Sequence, residues 1–251
     1  MIDFHTHILP ELDDGADTKE TAVALLKKEL LQGVASLIFT PHYYGKIRSP
    51  ERFLEARGQA FEKIQEEIPN GLAVRLGAEV RFDQATLFSE GQFRLLAIEN
   101  TRYILIELPF DEEWTETLFS KLARLCAETS LVPVLAHIER YPAVQKNPKL
   151  LNEFIRRDWL LQTTTSAFLQ KKLAPLAFAM LKKGLVHCLG TDTHNLEKRA
   201  PDYMQAKTVI YKRGYGKEFE KIQERMYLML KNERVFVSED KTVKKFFWTY
   251  L

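Results

Sequence analysis

The chain of 251 residues contains only two cysteines, Cys126 and Cys188. That scarcity excludes a disulfide framework and a cysteine-rich zinc site. Cys126 sits in a helical pattern with Leu118, Leu122 and Leu125, and Cys188 in an apolar strand, so both read as buried thiols. No apolar run approaches the roughly 20 residues that cross a bilayer, and no basic leader precedes the first apolar stretch. Direct membrane insertion is not expected, and a soluble, reduced, cytoplasmic protein is. Charge of one sign is also lacking. The 36 Lys and Arg against 34 Asp and Glu leave a net +2, too near neutral to suggest nucleic acid as a partner. No glycine-rich nucleotide loop, linker, repeat or low-complexity stretch breaks the chain. One domain over residues 1–251 is the economical reading, and nothing in the sequence speaks to oligomeric state.

What is present is a regular alternation of short apolar runs with helical patterns, as in βαβ units on a mainly parallel sheet. Strands are predicted at Met1–Phe4, Ala35–Thr40, Ala73–Ala78, Tyr103–Ile106, Val132–Ala136, Trp159–Thr163 and Leu185–Leu189. The first helix opens on a capping box of Asp17 and Glu20, carries Val23, Leu26 and Leu30 as its apolar stripe, and stops at Gly33. Further helices are predicted near 51–67, 115–129, 149–157, 171–183, 201–213 and 217–231. Seven such units make a barrel-like α/β fold.

Ligand-type side chains recur where these runs end. His5 and His7 follow the first, and two imidazoles at i and i+2 on an extended segment point to one face. Asp14 lies in the Asp13-Asp14-Gly15 turn. His42, Glu79, Glu107 and His137 close the next four runs, and Asp192 and His194 follow the last. An uncompensated acid at the end of an apolar strand is costly unless paired or bound to metal, and Glu107 directly follows Ile104-Leu105-Ile106. The sixth histidine, His187, falls on the opposite face from Asp192 and reads as structural. Nine ligands suit two or three ions. A mixture of imidazole and carboxylate without thiolate favours Mn, Fe or Zn in a catalytic rather than a structural site. Three divalent ions bring about +6 against about −4 from Asp14, Glu79, Glu107 and Asp192, so the centre would attract a phosphate dianion.

Two arginines follow ligand positions closely, Arg140 after His137 and Arg199 after His194, and a guanidinium fork matches phosphate oxygens. His187-Cys188 superficially suggests a cysteine phosphatase loop, but His194 stands where that loop needs its arginine, and Val132 stands six residues after Cys126. A thiolate nucleophile is therefore disfavoured. Arg140, Arg199, His137 and Asp192 are the residues expected to carry the chemistry.

With these motifs in place, the chain resembles the polymerase-and-histidinol-phosphatase (PHP) superfamily, and within it the manganese-dependent bacterial tyrosine phosphatases of capsular and exopolysaccharide synthesis. The likeness runs from Met1-Ile2-Asp3-Phe4-His5-Thr6-His7 through Asp13-Asp14-Gly15, Thr40-Pro41-His42, Gly77-Ala78-Glu79, Ile106-Glu107 and Ala136-His137-Ile138-Glu139-Arg140-Tyr141 to Asp192-Thr193-His194-Asn195. It implies a distorted (β/α)7 TIM-like barrel with three metal ions, Mn2+ foremost. One ion would lie among His5, His7, Glu79 and Asp192. Glu79 would bridge to a second held with Glu107 and His137, and Asp14, His42 and His194 would hold the third. The resemblance also implies phosphotyrosine on a bacterial tyrosine kinase as the substrate. Two rival readings are a phosphatase of a small metabolite such as histidinol phosphate and a non-enzymatic metal-binding regulator. One departure from the family pattern is Gln162-Thr163-Thr164-Thr165-Ser166, where an Asn/Ser-rich stretch is expected. The loop Tyr43–Arg48 also looks individual and is expected to shape substrate entry.

Overall fold

The computed structural model describes residues 1–86, 88–236, 242–246 and 249–250. Its central feature is a ring of parallel strands: β1 (Ile2–Thr6), β2 (Ser36–Phe39), β3 (His42–Tyr43), β4 (Ala73–Leu76), β5 (Glu79–Arg81), β6 (Tyr103–Glu107), β7 (Val132–Leu135), β8 (Leu160–Thr164) and β9 (Cys188–Gly190). Hydrogen bonding runs β1-β2-β4 in one sheet and β3-β5-β6-β7-β8-β9 in another. The two sheets are one path. β2 and β3 are separated only by Thr40-Pro41, and β4 and β5 only by Gly77-Ala78, so seven chain segments form the wall. Beyond β9 the ring returns to β1, where Asp192 N donates to His5 O (2.8 Å) and His7 N to Thr193 O (2.8 Å). This is the distorted (β/α)7 barrel.

Strands of this kind are buried on both faces, so their sequences are nearly continuous apolar runs. Tyr103, Ile104, Leu105 and Ile106 are all fully buried. Around the ring lie α1 (Lys19–Leu31), α2 (Pro50–Glu62), α3 (Glu90–Leu95), α4 (Glu116–Thr129), α5 (Pro142–Lys146), α6 (Leu150–Arg156), α7 (Ala174–Lys182), α8 (Tyr203–Lys212) and α9 (Gly216–Leu230). The longer helices turn apolar residues inward; in α4, Leu118, Phe119, Leu122, Leu125 and Cys126 are buried. The stop after α1 at Gly33 has φ +82°, a conformation that glycine adopts without strain.

Several expectations need correction. Thr18 caps α1, not Asp17: its extended backbone places the side-chain oxygen to accept from Thr21 N, and Asp17 instead accepts from the Thr21 hydroxyl at 2.7 Å. The last strand of the barrel wall is Cys188–Gly190 rather than Leu185–Leu189, because its pairing with β8 begins only at Gln162 opposite Cys188. The stretch between the third and fourth predicted strands contains α3, marked by a Ser89/Gln92 capping box. Part of the C-terminal tail 241–248 packs on the barrel. Asn152 Nδ2 donates to Thr242 Oγ1 at 3.0 Å and Val243 is buried. A short antiparallel pair, β10 (Lys245–Phe246) and β11 (Thr249–Tyr250), follows. Lys241, Phe247 and Trp248 lie outside the described residues.

The barrel closes tightly because β9 carries no side chain where it meets β1. A Cβ on Gly190 would stand 2.5 Å from His5 Cβ and 2.9 Å from His5 N, neither of which can swing away. Gly190→Ala is expected to cost about 1–3 kcal/mol as an overpacked core. Urea unfolding of the variant against the parent measures this directly.

Candidate metal centre and active site

The carboxyl ends of the strands converge on one buried cluster. Three groups of ligand-type atoms each lie within 4.8 Å of one another: His5, His7, Glu79 and Asp192; Glu79, Glu107 and His137; and His7, Asp14, His42 and His194. All nine residues singled out in the sequence are therefore brought together. His187 is not among them: its Nδ1 accepts from Leu161 N at 2.8 Å. Two residues are shared. Glu79 links the first two groups, and His7, beyond the division implied by the resemblance, belongs to the third as well as the first.

Glu79 is the hub. Its Oε2 lies 3.1 Å from His5 Nε2, 3.2 Å from His7 Nε2 and 3.1 Å from His42 Nδ1, while Oε1 accepts from His137 Nε2 at 2.8 Å. Asp192 Oδ1 lies 3.5 Å from His5 Nε2 and 3.3 Å from His7 Nε2. Asp14 Oδ1 sits 3.4 Å from His42 Nε2 and 3.2 Å from His194 Nε2. Glu107 Oε1 is 3.6 Å from His137 Nε2.

These atoms are aimed inward yet poorly satisfied. Glu79 Oε2, His42 Nδ1, His137 Nδ1, Asp192 Oδ1 and His194 Nε2 are all buried without a well-directed hydrogen bond among the described residues. Buried polar atoms are costly when unpaired, and imidazole with carboxylate is the donor chemistry of a catalytic transition-metal site. The residues fit two or three divalent cations.

Charge is the dominant local force. Burial would raise the Asp192 carboxyl, but His5, His7 and Arg140 outweigh it and hold the group well below the usual carboxylate range. Glu79 behaves alike, with burial opposed by His5, His42 and His137. Burial would lower His5, yet Glu79 and Asp192 raise it; for His7, burial is outweighed by Asp13 together with Asp192 and Glu79, which raise it well above its ordinary value. Glu107 goes the other way, pushed up to about 6 by burial and then by the charge of Glu79.

Two groups hold the imidazoles from behind, and the sequence did not single out either for that role. Asp13 Oδ2 accepts from His7 Nδ1 (2.7 Å) and from the backbone N–H of His42 (2.8 Å). Its Oδ1 accepts from Gly15 N at 2.9 Å, in a turn so close to His7 that a Cβ on Gly15 would stand 1.9 Å from His7 O. Gln162, on β8, accepts at Oε1 from both His5 Nδ1 (3.2 Å) and His137 N (2.6 Å). Hydrogen bonding at Nδ1 leaves the Nε2 lone pair free for the cluster. Asp13 was legible only as the neighbour of Asp14, and Gln162 only as a departure from the family pattern. His137 (φ 34°) and Asp192 (φ 55°) both take left-handed backbone, a strain of about 1–3 kcal/mol each that only the surrounding structure sustains.

Arg140 and Arg199 converge on the outer oxygen of Asp192. Arg140 Nη1 and Arg199 Nη2 both donate to Oδ2, the latter at 2.6 Å. Their side chains keep 25% and 36% exposure, so donors remain open at the mouth of the site. Both thiols are unsuited to nucleophilic work: burial pushes Cys126 up to about 12 and raises Cys188 further.

Residues 1–232 match the family model described as capsular polysaccharide synthesis, CpsB/CapC. The chain belongs to this family. Among its relatives, tyrosine-protein phosphatase YwqE of Bacillus subtilis (strain 168) is 31% identical over 98% of this chain and 97% of its own. Tyrosine-protein phosphatase CpsB of Streptococcus pneumoniae is 30% identical over 86% of this chain and 91% of its own. A chain from the crystal structures of YwqE and CpsB, described as unique metal-dependent tyrosine phosphatases, matches with a TM-score of 0.83 at 27% identity. That match covers 98% of this chain and 100% of that one. The CpsB/CapC membership and this match agree with the resemblance read from the sequence.

Two outcomes follow from the geometry. Gln162→Leu removes the shared acceptor behind His5 and His137, and metal affinity is expected to fall about 10–100-fold, read by competition with a fluorescent chelator. The second concerns pH. In metal-stripped protein, protonated His5 and His7 contribute stability that is complete below their ordinary pKa of 6.5 and lost as pH rises through their raised values. His42, lowered to about 4 by burial, acts oppositely, but its contribution is complete once pH exceeds 6.5. The melting temperature of the stripped protein is therefore expected to fall by several degrees as pH rises above about 6.5, and bound cations to abolish that slope. A scanning-calorimetry series in both states checks it.

Proposed function

We propose that this chain is a metal-dependent phosphatase, one catalytic domain over residues 1–251, that hydrolyses phosphotyrosine in proteins. The observation that carries the reading is the three-part cluster of imidazoles and carboxylates beneath two guanidiniums anchored on Asp192. The relatives named as tyrosine-protein phosphatases support the substrate class, and the structure described as metal-dependent supports the cofactor class.

His5, His7, Asp14, His42, Glu79, Glu107, His137, Asp192 and His194 would hold the cations, with Mn2+ foremost and Fe or Zn as alternatives. Bound cations would supply charge neutralisation and Lewis acidity at the phosphoryl oxygens. The residues of the chain do the rest. Arg140 and Arg199 present planar forks to a phosphate dianion and orient it over the cluster. Asp192 holds both forks at fixed height while turning its inner oxygen to His5 and His7. Asp13 and Gln162 keep His7 and His5 in the tautomers that face inward. A tyrosyl leaving group, with conjugate acid of pKa about 10, departs without a strong general acid, which suits a site built for charge rather than proton delivery.

The physiological substrate proposed is the phosphotyrosine of a bacterial tyrosine kinase, in keeping with the capsular polysaccharide context of the family. Buried, unpaired Cys126 and Cys188 suit a reducing cytoplasm. Among the described residues no helix is long and apolar enough to cross a membrane.

His137→Ala and Asp192→Asn are expected to lower turnover at least about 100-fold with the fold retained by circular dichroism. The deciding assay uses chelator-stripped protein with Mn2+, Fe2+ or Zn2+ restored in turn, offered a phosphotyrosine peptide and histidinol phosphate. Release of phosphate from the peptide with metal is the expected result. Turnover of histidinol phosphate alone would redirect the assignment to small metabolites, and metal uptake with no phosphate release would make the chain a binding protein.

A further inference from the structure

Two cavities share the turn that follows β3. One, about 290 Å³, opens onto Asp14 and His42 of the cluster. The other, about 650 Å³, borders the same turn and is lined also by Arg81, Asp111 and Glu112. Tyr44 and Ile47 line both. The turn is ordered: Ile47 N donates to Tyr44 O at 2.9 Å, and the Tyr43 hydroxyl donates to Arg48 O at 3.1 Å. The Tyr44 ring lies 5.2 Å from that of His42, so the larger cavity begins one side chain away from the metal cluster.

Its walls have a definite chemistry. Ile47 is 69% exposed, an aliphatic side chain held in water beside the mouth of the site. The charged groups do not balance. Lys46 pairs with Asp83 at 3.1 Å and Arg81 with Asp111 at 2.5 Å, while Glu112 has no ion pair among the described residues. Three carboxylates therefore face two cations. An acidic excess repels phosphate, so this cavity is not an extension of the phosphate site. An apolar ridge beside a free carboxylate matches the methylene stem and charged head of lysine or arginine.

We propose that this cavity is a substrate subsite that receives a basic residue flanking the phosphotyrosine in an extended segment of the protein substrate, with Ile47 packing on its stem and Glu112 pairing its head. This rests on the phosphotyrosine reading above. Arg81, through its contact with Glu107 at 3.5 Å, ties the wall of the subsite to the cluster itself.

The test compares three phosphotyrosine peptides identical except at the two positions flanking the phosphotyrosine, which are Arg, Leu or Glu, with para-nitrophenyl phosphate as a substrate too small to span both cavities. The wild-type protein is expected to favour the Arg peptide over the Glu peptide about fivefold in kcat/KM, the scale of an exposed ion pair. Glu112→Gln and Ile47→Ser should reduce that ratio below about twofold, and Glu112→Lys should invert it, with para-nitrophenyl phosphate turnover unchanged in the two Glu112 variants. No discrimination by the wild type, or discrimination that survives in all three variants, overturns the subsite. Loss of para-nitrophenyl phosphate and peptide turnover in equal measure overturns it too. Wild-type protein that cleaves para-nitrophenyl phosphate but no phosphotyrosine peptide overturns the phosphotyrosine reading instead.

Discussion

The buried carboxylate of Glu79 is the constraint around which the rest of the structure is arranged. It is fully desolvated, and its two oxygens face four imidazoles from three different strand ends, His5 and His7 sharing that of β1. A negative charge in such a place is unaffordable alone, and no single neighbour neutralises it. The barrel answers by bringing His5, His7, His42 and His137 to within about 3 Å of it, and that requirement fixes where three segments of chain must end. Asp192 repeats the arrangement on the other side, with two guanidiniums on its outer oxygen.

Holding so many groups at fixed distances demands departures from regular structure. The second and third wall segments are each interrupted, at Thr40-Pro41 and Gly77-Ala78, and resume at a ligand-type residue, His42 or Glu79. The breaks turn the chain inward just before the side chain is needed. His137 and Asp192 sit in left-handed backbone for the same reason, and Gly15 and Gly190 lack a side chain where the backbone must pass His7 and His5. Strain of this kind persists only when the packing around it leaves no alternative. Supporting hydrogen bonds come from Asp13 and from Gln162. The latter lies on β8, which contributes nothing to the three ligand groups.

The sequence alone determined the alternation of strand and helix, the seven-fold count and the nine ligand-type residues. It could do so because strands buried on both faces leave an unbroken apolar signature, and a charged or imidazole group at the end of such a run stands out by its cost. Asp17 and Thr18 both suit the cap of the first helix by residue type, and only backbone conformation selects Thr18. The apolar run does not mark where β9 starts, because Leu185 and Val186 are buried outside the sheet as fully as others are within it. The tertiary structure alone decided that His7 serves two groups, that Gln162 joins His5 to His137, and that both arginines meet on one oxygen of Asp192. Each of these depends on distances between segments far apart in the chain, and a linear pattern carries the identity of a side chain but not the position of its partner.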